Sequence, residues 1–309
     1  MRTFTGLIVA MAAIVLAAAP IAAQEGSPEA GSPTAATSLL AGLGYPEIVI
    51  TTDGTDYTIP MEIAAGRYRL VIENSSADLS ADVILAMSPE GMAFDEMVAI
   101  LEASDAEETI PEELFTFTFA GGAYAFPQST NDSIVTLGPG EWVVDFNAYS
   151  ETDEEAEGVR IRKPLTVTGE LPELTDPPAD VVANAMELQF DIPETLPAGP
   201  QIWQFANTGE FLHHIVIEQY PEPVTPEQVQ ATLNMFFGIP ATPAASPVPV
   251  MDEEGLTFVD QGQILSPGQA NWYEYDLAPG TYIAFCFISG PGDVPPHALE
   301  GMFRIFTVE

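Results

Sequence analysis

Positive charge is nearly missing from this chain. Seven Lys and Arg stand against 46 Asp and Glu in 309 residues, a formal net charge of −39, which repels nucleic acid and anionic lipid surfaces at moderate salt. Nucleic-acid binding is excluded on that ground. Cysteine is almost missing too: Cys286 is the only one, so no internal disulfide can form and the residue is a buried filler, an intermolecular partner or a functional thiolate. The chain has no Gly-rich phosphate loop, no His-Glu-x-x-His pair and no Gly-x-Ser-x-Gly elbow, which leaves nucleotide and hydrolase chemistry without support. Past the N-terminus no segment approaches the roughly 18 uninterrupted apolar residues of a membrane span.

What is present begins with an export pattern. Arg2, an apolar run from Leu7 to Ala19 and the small residues Ala22 and Ala23 before Gln24 have the layout of a signal peptide over residues 1–23, which places the mature chain outside the cytoplasm, secreted or at the cell surface or periplasm. Residues 24–44 are rich in Gly, Ser, Pro, Ala and Thr and read as a flexible linker. A Pro-rich stretch, Leu171–Pro178, separates two segments with one order of features; we take 45–170 and 179–309 as two β-domains joined by a linker at 171–178. Ile63–Asn74 is followed by Asp82–Ala86 and a helix-like stretch, Ser88–Leu101. Leu196–Asn207 is followed by His213–Ile217 and a second helix, Thr225–Phe236, opened by Pro226 and Glu227. Leu137-Gly-Pro-Gly-Glu-Trp matches Leu277-Ala-Pro-Gly-Thr-Tyr in the same way. Short runs rich in Val, Ile, Tyr, Phe and Thr, punctuated by Gly, Pro and Asn, predict an all-β fold of two tandem sandwiches, each with one inserted helix. Pro240–Pro249 reads as a loop, and the acidic run Glu151–Glu157 as a solvated edge.

All three histidines and the cysteine fall in the second half: His213, His214, Cys286 and His297, with Met302 close behind. Each has an ordinary reading when taken alone. Cys286 is a small buried hydrophobe, Met302 core filler, His297 a loop residue and His213 a satisfied core imidazole. Taken together and in order, two imidazoles, one thiolate and a weak axial thioether are the ligand set of a trigonal copper that cycles between Cu(I) and Cu(II). Strand parity chooses between the adjacent histidines. His213 shares a face with Ile215 and Ile217, an inward apolar row, whereas His214 shares one with Val216 and Glu218, which the charge turns toward solvent.

The segment Asn207-Thr-Gly-Glu-Phe-Leu-His213-His-Ile-Val-Ile-Glu resembles the plastocyanin segment that supplies the first histidine ligand, and Cys286, His297 and Met302 match the cupredoxin pattern of Cys, loop, His, four residues, Met. The resemblance covers about 115 residues, from near Leu196 to Glu309. It implies two Greek-key cupredoxin-like sandwiches and one type 1-like copper held by His213, Cys286, His297 and Met302, with His297 at the edge nearest solvent. It also implies electron transfer with a redox partner protein rather than catalysis. Two departures stand out. Ten residues separate Cys286 from His297, more than in small electron-transfer cupredoxins, and His214 stands where the family has an Asn that ties two loops, a task an imidazole N–H could take over. Three histidines cannot furnish the second copper of the nitrite reductases and multicopper oxidases. In the first half Phe146 aligns with Cys286, Ile161 with Met302, and Ser80 or Ala81 with His213, so that repeat has lost the ligands. The rival readings are a metal-free binding module and a copper storage or delivery protein.

Overall fold

The computed structural model describes residues 38–106, 110–150, 158–240, 248–252, 255–291 and 294–309. The signal peptide expected over 1–23, the acidic run at 151–157 and most of the 240–249 loop lie outside them.

Period-two burial, as in the alternating run Glu47–Thr52, sets the strands. The first half contributes β1 (Glu47–Thr52), β2 (Tyr57–Thr58), β3 (Glu62–Ala64), β4 (Gly66–Asn74), β5 (Ser80–Met87), β6 (Thr118–Ala125), β7 (Ser129–Leu137), β8 (Gly140–Tyr149) and β9 (Val159–Thr168). Helix α1 (Phe94–Ala106) lies between β5 and β6. The second half contributes β10 (Val181–Met186), β11 (Gln189–Asp191), β12 (Thr195–Leu196), β13 (Gly199–Asn207), β14 (His213–Tyr220), β15 (Thr257–Leu265), β16 (Ala270–Leu277), β17 (Gly280–Phe285) and β18 (Phe303–Val308). Helix α2 (Pro226–Phe236) lies between β14 and β15.

One sheet runs β11-β10-β13-β16-β7-β4-β1-β2 and the other β12-β18-β17-β14-β15-β6-β5-β8-β9-β3. Every strand of the first half has its counterpart in the second with the same neighbours, down to the parallel pairs β1–β4 and β10–β13. The all-β, twice-repeated Greek-key architecture is therefore observed. One feature goes beyond the sequence pattern: the sheets do not stop between the halves. β7 pairs with β16 through Ile134–Trp272 and Ser133–Tyr273, and β6 with β15 through Ala120–Leu265, so the two sandwiches share both layers.

The repeat extends to side-chain ties. Asn74, ending β4, donates its amide to the carbonyls of Leu79 and Phe126 and accepts the Ser76 N–H. Asn207, ending β13, does the same with Phe211, Leu265 and Gly209. Trp142 and Tyr282, at the same step after their Gly turns, each bond the carbonyl four residues back, at Gly138 and Ala278.

Two expectations need correction. The first helix does not run Ser88–Leu101. Gly91 takes φ +86 and the Met92 N–H closes a tight turn on the Pro89 carbonyl, so Pro89 and Glu90 sit in a turn and the helix starts only after Ala93. The flexible linker does not reach residue 44. Leu40 is fully buried against Ile134, Ile202 and Trp272, and the Leu39 N–H donates to Glu274 at 2.6 Å, so residues 38–44 are docked across the seam between the halves. The second helix matches its expectation: Thr225 caps it, with Gln228 closing a capping box and Pro226 in the first turn.

Candidate metal centre

Three strand ends place the residues that the sequence singles out. His213 opens β14, Cys286 directly follows β17 and Met302 directly precedes β18. β17 lies between β14 and β18, with Val216 opposite Phe285 and Phe285 opposite Phe303, so the three positions are neighbours at one end of the sandwich. His297 reaches them from the long loop, which folds back onto its own root. Its N–H donates to the Ile288 carbonyl at 2.9 Å, and the Ala298 N–H to the Cys286 carbonyl at 2.7 Å. The Met302 N–H donates to the His297 carbonyl at 2.9 Å and the Cys286 N–H to the Met302 carbonyl at 3.2 Å.

The side chains converge. The Cys286 Sγ lies 3.7 Å from His213 Nδ1 and 3.6 Å from His297 Nδ1, and the two imidazole centres are 5.0 Å apart. Among the described residues His213, Cys286 and His297 form a group whose donor atoms all fall within 4.8 Å of one another. Imidazole and thiolate bonds of about 2.0 and 2.3 Å around one ion put N and S roughly 3.5–3.8 Å apart, so these separations leave room for a metal at bonding distance from all three. Met302 is fully buried in the same core as Cys286 and is tied to both Cys286 and His297 through its backbone.

The electrostatics suit that donor set. Burial, aided by the His297 charge, pushes His213 down to about 3, and burial pushes His297 down to about 4, so both rings are neutral and keep a lone pair at physiological pH. Burial raises the Cys286 thiol to about 12, opposed by backbone N–H bonds from His214 and Ile288. A metal must therefore displace the thiol proton. The chemistry of the donors, two neutral imidazoles and a thiolate in an apolar pocket, fits copper.

Other expectations about the surroundings are overturned. His214, Val216 and Glu218 do not face solvent: all three are buried, because α2 lays Val229 and Leu233 over that side of β14. Parity separated His213, whose ring joins Cys286 and His297, from His214, but could not see that the opposite face is covered. Glu218, pushed up to about 8 by burial, is protonated there at neutral pH. His214 does tie two segments, but as an acceptor. The Phe287 N–H donates to its Nε2 at 2.6 Å, which leaves the ring proton on Nδ1, buried without a partner among the described residues. Phe285, Phe287 and Phe303 pack with Val216 beneath α2. His297 is, as expected, the least buried of the four, 3% exposed where His213, Cys286 and Met302 are fully buried, and it lies under Phe211, ring centres 5.9 Å apart.

In the first half, Phe146 pairs with Val83 and Ile161, a register that sets it at the position of Cys286, with Ala81 at that of His213. The Phe146 ring stacks on Tyr57 at 4.9 Å and fills the space. Asp82 occupies the place of His214. It is buried near Asp145 and Arg160, and burial raises it to about 7. An open cleft of about 840 Å³ in this half is lined by Thr52, Asp53, Tyr57 and Glu73 among others, with no histidine among them. The sequence reading missed Asn207 as the clamp of the loop before His213, although its recurrence as Asn74 at the end of the matching strand was the available signal. It also missed the Ile288 N–H on the thiol, for which side-chain chemistry carries no signal.

No family model matches the chain, and no curated protein matches it. Among solved structures it is similar to a reduced auracyanin from the photosynthetic bacterium Roseiflexus castenholzii, at 25% identity over 41% of this chain and 94% of that one, with a TM-score of 0.26. It is also similar to auracyanin A from Chloroflexus aurantiacus, a "blue" copper protein, at 20% identity over 41% of this chain and 99% of that one, with a TM-score of 0.24. Across both halves it is similar to a copper nitrite reductase from Nitrosomonas europaea, at 11% identity over 85% of this chain and 93% of that one, with a TM-score of 0.22. Scores this low add nothing to what the strand order and the cluster establish by themselves. In fold the chain is cupredoxin-like, twice over.

Proposed function

We propose that the second half binds one copper ion through His213, Cys286 and His297, with Met302 as a weak fourth ligand, and that the protein exchanges single electrons outside the cytoplasm. The observation that carries this reading is the convergence of Sγ and two Nδ1 atoms at 3.6 and 3.7 Å in a pocket where Cys286 and His213 are fully buried. Bound copper would supply a one-electron couple. The residues supply the rest. His213 and His297 present neutral donors on rings fixed by β14 and the closed loop. Cys286 gives up its proton, and the His214 and Ile288 N–H groups stabilise the resulting charge. The strand ends hold these groups in place with or without an ion, so little would have to move between oxidation states.

The test is a titration of purified mature protein with Cu(II) followed by absorption. One equivalent is expected to give an intense visible thiolate-to-copper band that Cys286→Ser abolishes. A band that survives in Cys286→Ser contradicts the assignment. Tight Cu(I) uptake without a stable coloured Cu(II) form would favour storage or delivery, and no copper uptake would favour a metal-free binding module.

A further inference from the structure

We infer that the first half carries a binding site of its own, on the exposed face of strands β2, β1, β4 and β7, and that this site takes a neutral oligosaccharide; the inference is independent of the copper reading. Strand register sets Thr58 opposite Thr51, Thr51 opposite Glu73 and Glu73 opposite Thr130, a row across four adjacent strands. All four residues are exposed and line the cleft of about 840 Å³ in this half. Its rim is pinned by hydrogen bonds. The Ser75 N–H and hydroxyl both donate to the Thr52 carbonyl, at 2.9 and 2.8 Å, and the Gln128 N–H donates to the Ser76 carbonyl at 2.9 Å. A floor of paired strands with a fixed rim has little to order when a ligand arrives.

The internal repeat marks these side chains as additions to a shared backbone. With Asn74 matched to Asn207, register gives Asp191, Asn184, Ala206 and Ala270 as the same row in the second half. Glu73 and Thr130 therefore stand where the other half keeps only methyl groups. Gln128, two residues before Thr130, falls at the position of Gly268. Both adopt a left-handed backbone, φ +52 and +79, which glycine takes freely and glutamine only with strain. Core packing does not require the glutamine, since Gln128 is exposed, and its side chain lines the cleft.

The lining decides the ligand class. Three Thr hydroxyls, a carboxamide and a carboxylate set donors and acceptors side by side. Tyr57, the aromatic residue of the lining, is 2% exposed, so an apolar ligand would gain little. Asp53 and Glu73, on a chain of net charge −39, repel an anion, and the neighbouring cation, Lys163, is ion-paired with Asp56. Asp53 accepts from the Thr55 hydroxyl, which leaves Glu73 as the carboxylate in reach, less charge than a divalent cation needs. A ligand of neutral hydroxyls, each donor and acceptor at once, matches what remains.

The test titrates copper-free mature protein with soluble neutral oligosaccharides of glucose, mannose, galactose and N-acetylglucosamine, followed by calorimetry and amide NMR shifts. Binding through hydrogen bonds without a stacking ring is expected at a Kd of about 0.1–1 mM for at least one of them, with the shifts gathered on β1, β4 and β7. Gln128→Gly gives the first half the residue of the second. It is expected to weaken binding about fivefold or more while the melting temperature holds or rises, because glycine relieves the strain. Glu73→Ala and Thr130→Ala are expected to weaken binding about five- to tenfold, and Asn184→Ala, in the matching row of the other half, to leave it unchanged. Copper does not enter either readout, so protein that takes up no copper still tests the site. The inference fails if no sugar of the panel binds more tightly than about 10 mM, or if Gln128→Gly, Glu73→Ala and Thr130→Ala all bind like wild type. It fails equally if Ca(II) shifts the same amides and no sugar does.

Discussion

At the scale of single residues, the candidate centre depends on groups that hold the ligands as much as on the ligands. His214 holds the segment after Cys286 by accepting the Phe287 N–H at Nε2. His214→Phe keeps a ring of similar size but leaves the Phe287 N–H buried without an acceptor. We expect a loss of about 1–3 kcal/mol in urea unfolding, together with faster copper release to a chelator. Unchanged stability would show that the 2.6 Å contact contributes nothing. The cluster of His213, Cys286 and His297 could be anticipated because Cys286, His297 and Met302 keep the order and spacing of a ligand set. The His214 acceptor role could not, since it depends on where β17 ends relative to β14, a tertiary fact.

Elements carry the next layer, and the repeat offers a built-in comparison. Asn207 and Asn74 make equivalent bonds in the two halves, each bridging a loop to a neighbouring strand inside the protein. Asn207→Ala and Asn74→Ala are each expected to cost about 2–4 kcal/mol, from lost bonds and stranded carbonyls. Only Asn207→Ala should weaken copper binding, because only its loop leads into a ligand. Equal effects on copper would mean that the loop is not what positions His213. The strand pattern, the second helix and the repeat itself could be read from alternation and turn residues. Three features could not. Gly91 moves the start of α1 by breaking the chain into a turn. The α2 cover buries the polar-looking row of β14. Leu40 anchors a segment whose composition reads as flexible. In each case tertiary packing overrides a local signal.

The molecule as a whole is an acidic body with carboxyl groups sealed inside it. Burial raises Asp82 and Asp260 to about 7 and Glu218 to about 8, all above the range they would have in the unfolded chain. The fold therefore binds protons that the unfolded chain has already released, and this contribution, complete below the unfolded carboxyl range, is lost as pH rises through 7 to 8. From pH 7 upward the histidines are neutral in both states, which isolates the carboxyls. The melting temperature is expected to fall between about pH 7 and 9, and Glu218→Gln to flatten that fall by an amount on the order of 1–2 kcal/mol. A profile identical to wild type would mean that Glu218 ionises without cost. Added salt should raise stability at pH 8 by screening the net charge of −39.

The most direct measurement of the central claim is X-ray absorption at the copper edge on protein loaded with one equivalent. One short Cu–S bond and two Cu–N imidazole bonds, with the Cu–S contribution missing in Cys286→Ser, is the predicted result. A first shell of oxygen and nitrogen alone would contradict a centre built on His213, Cys286 and His297.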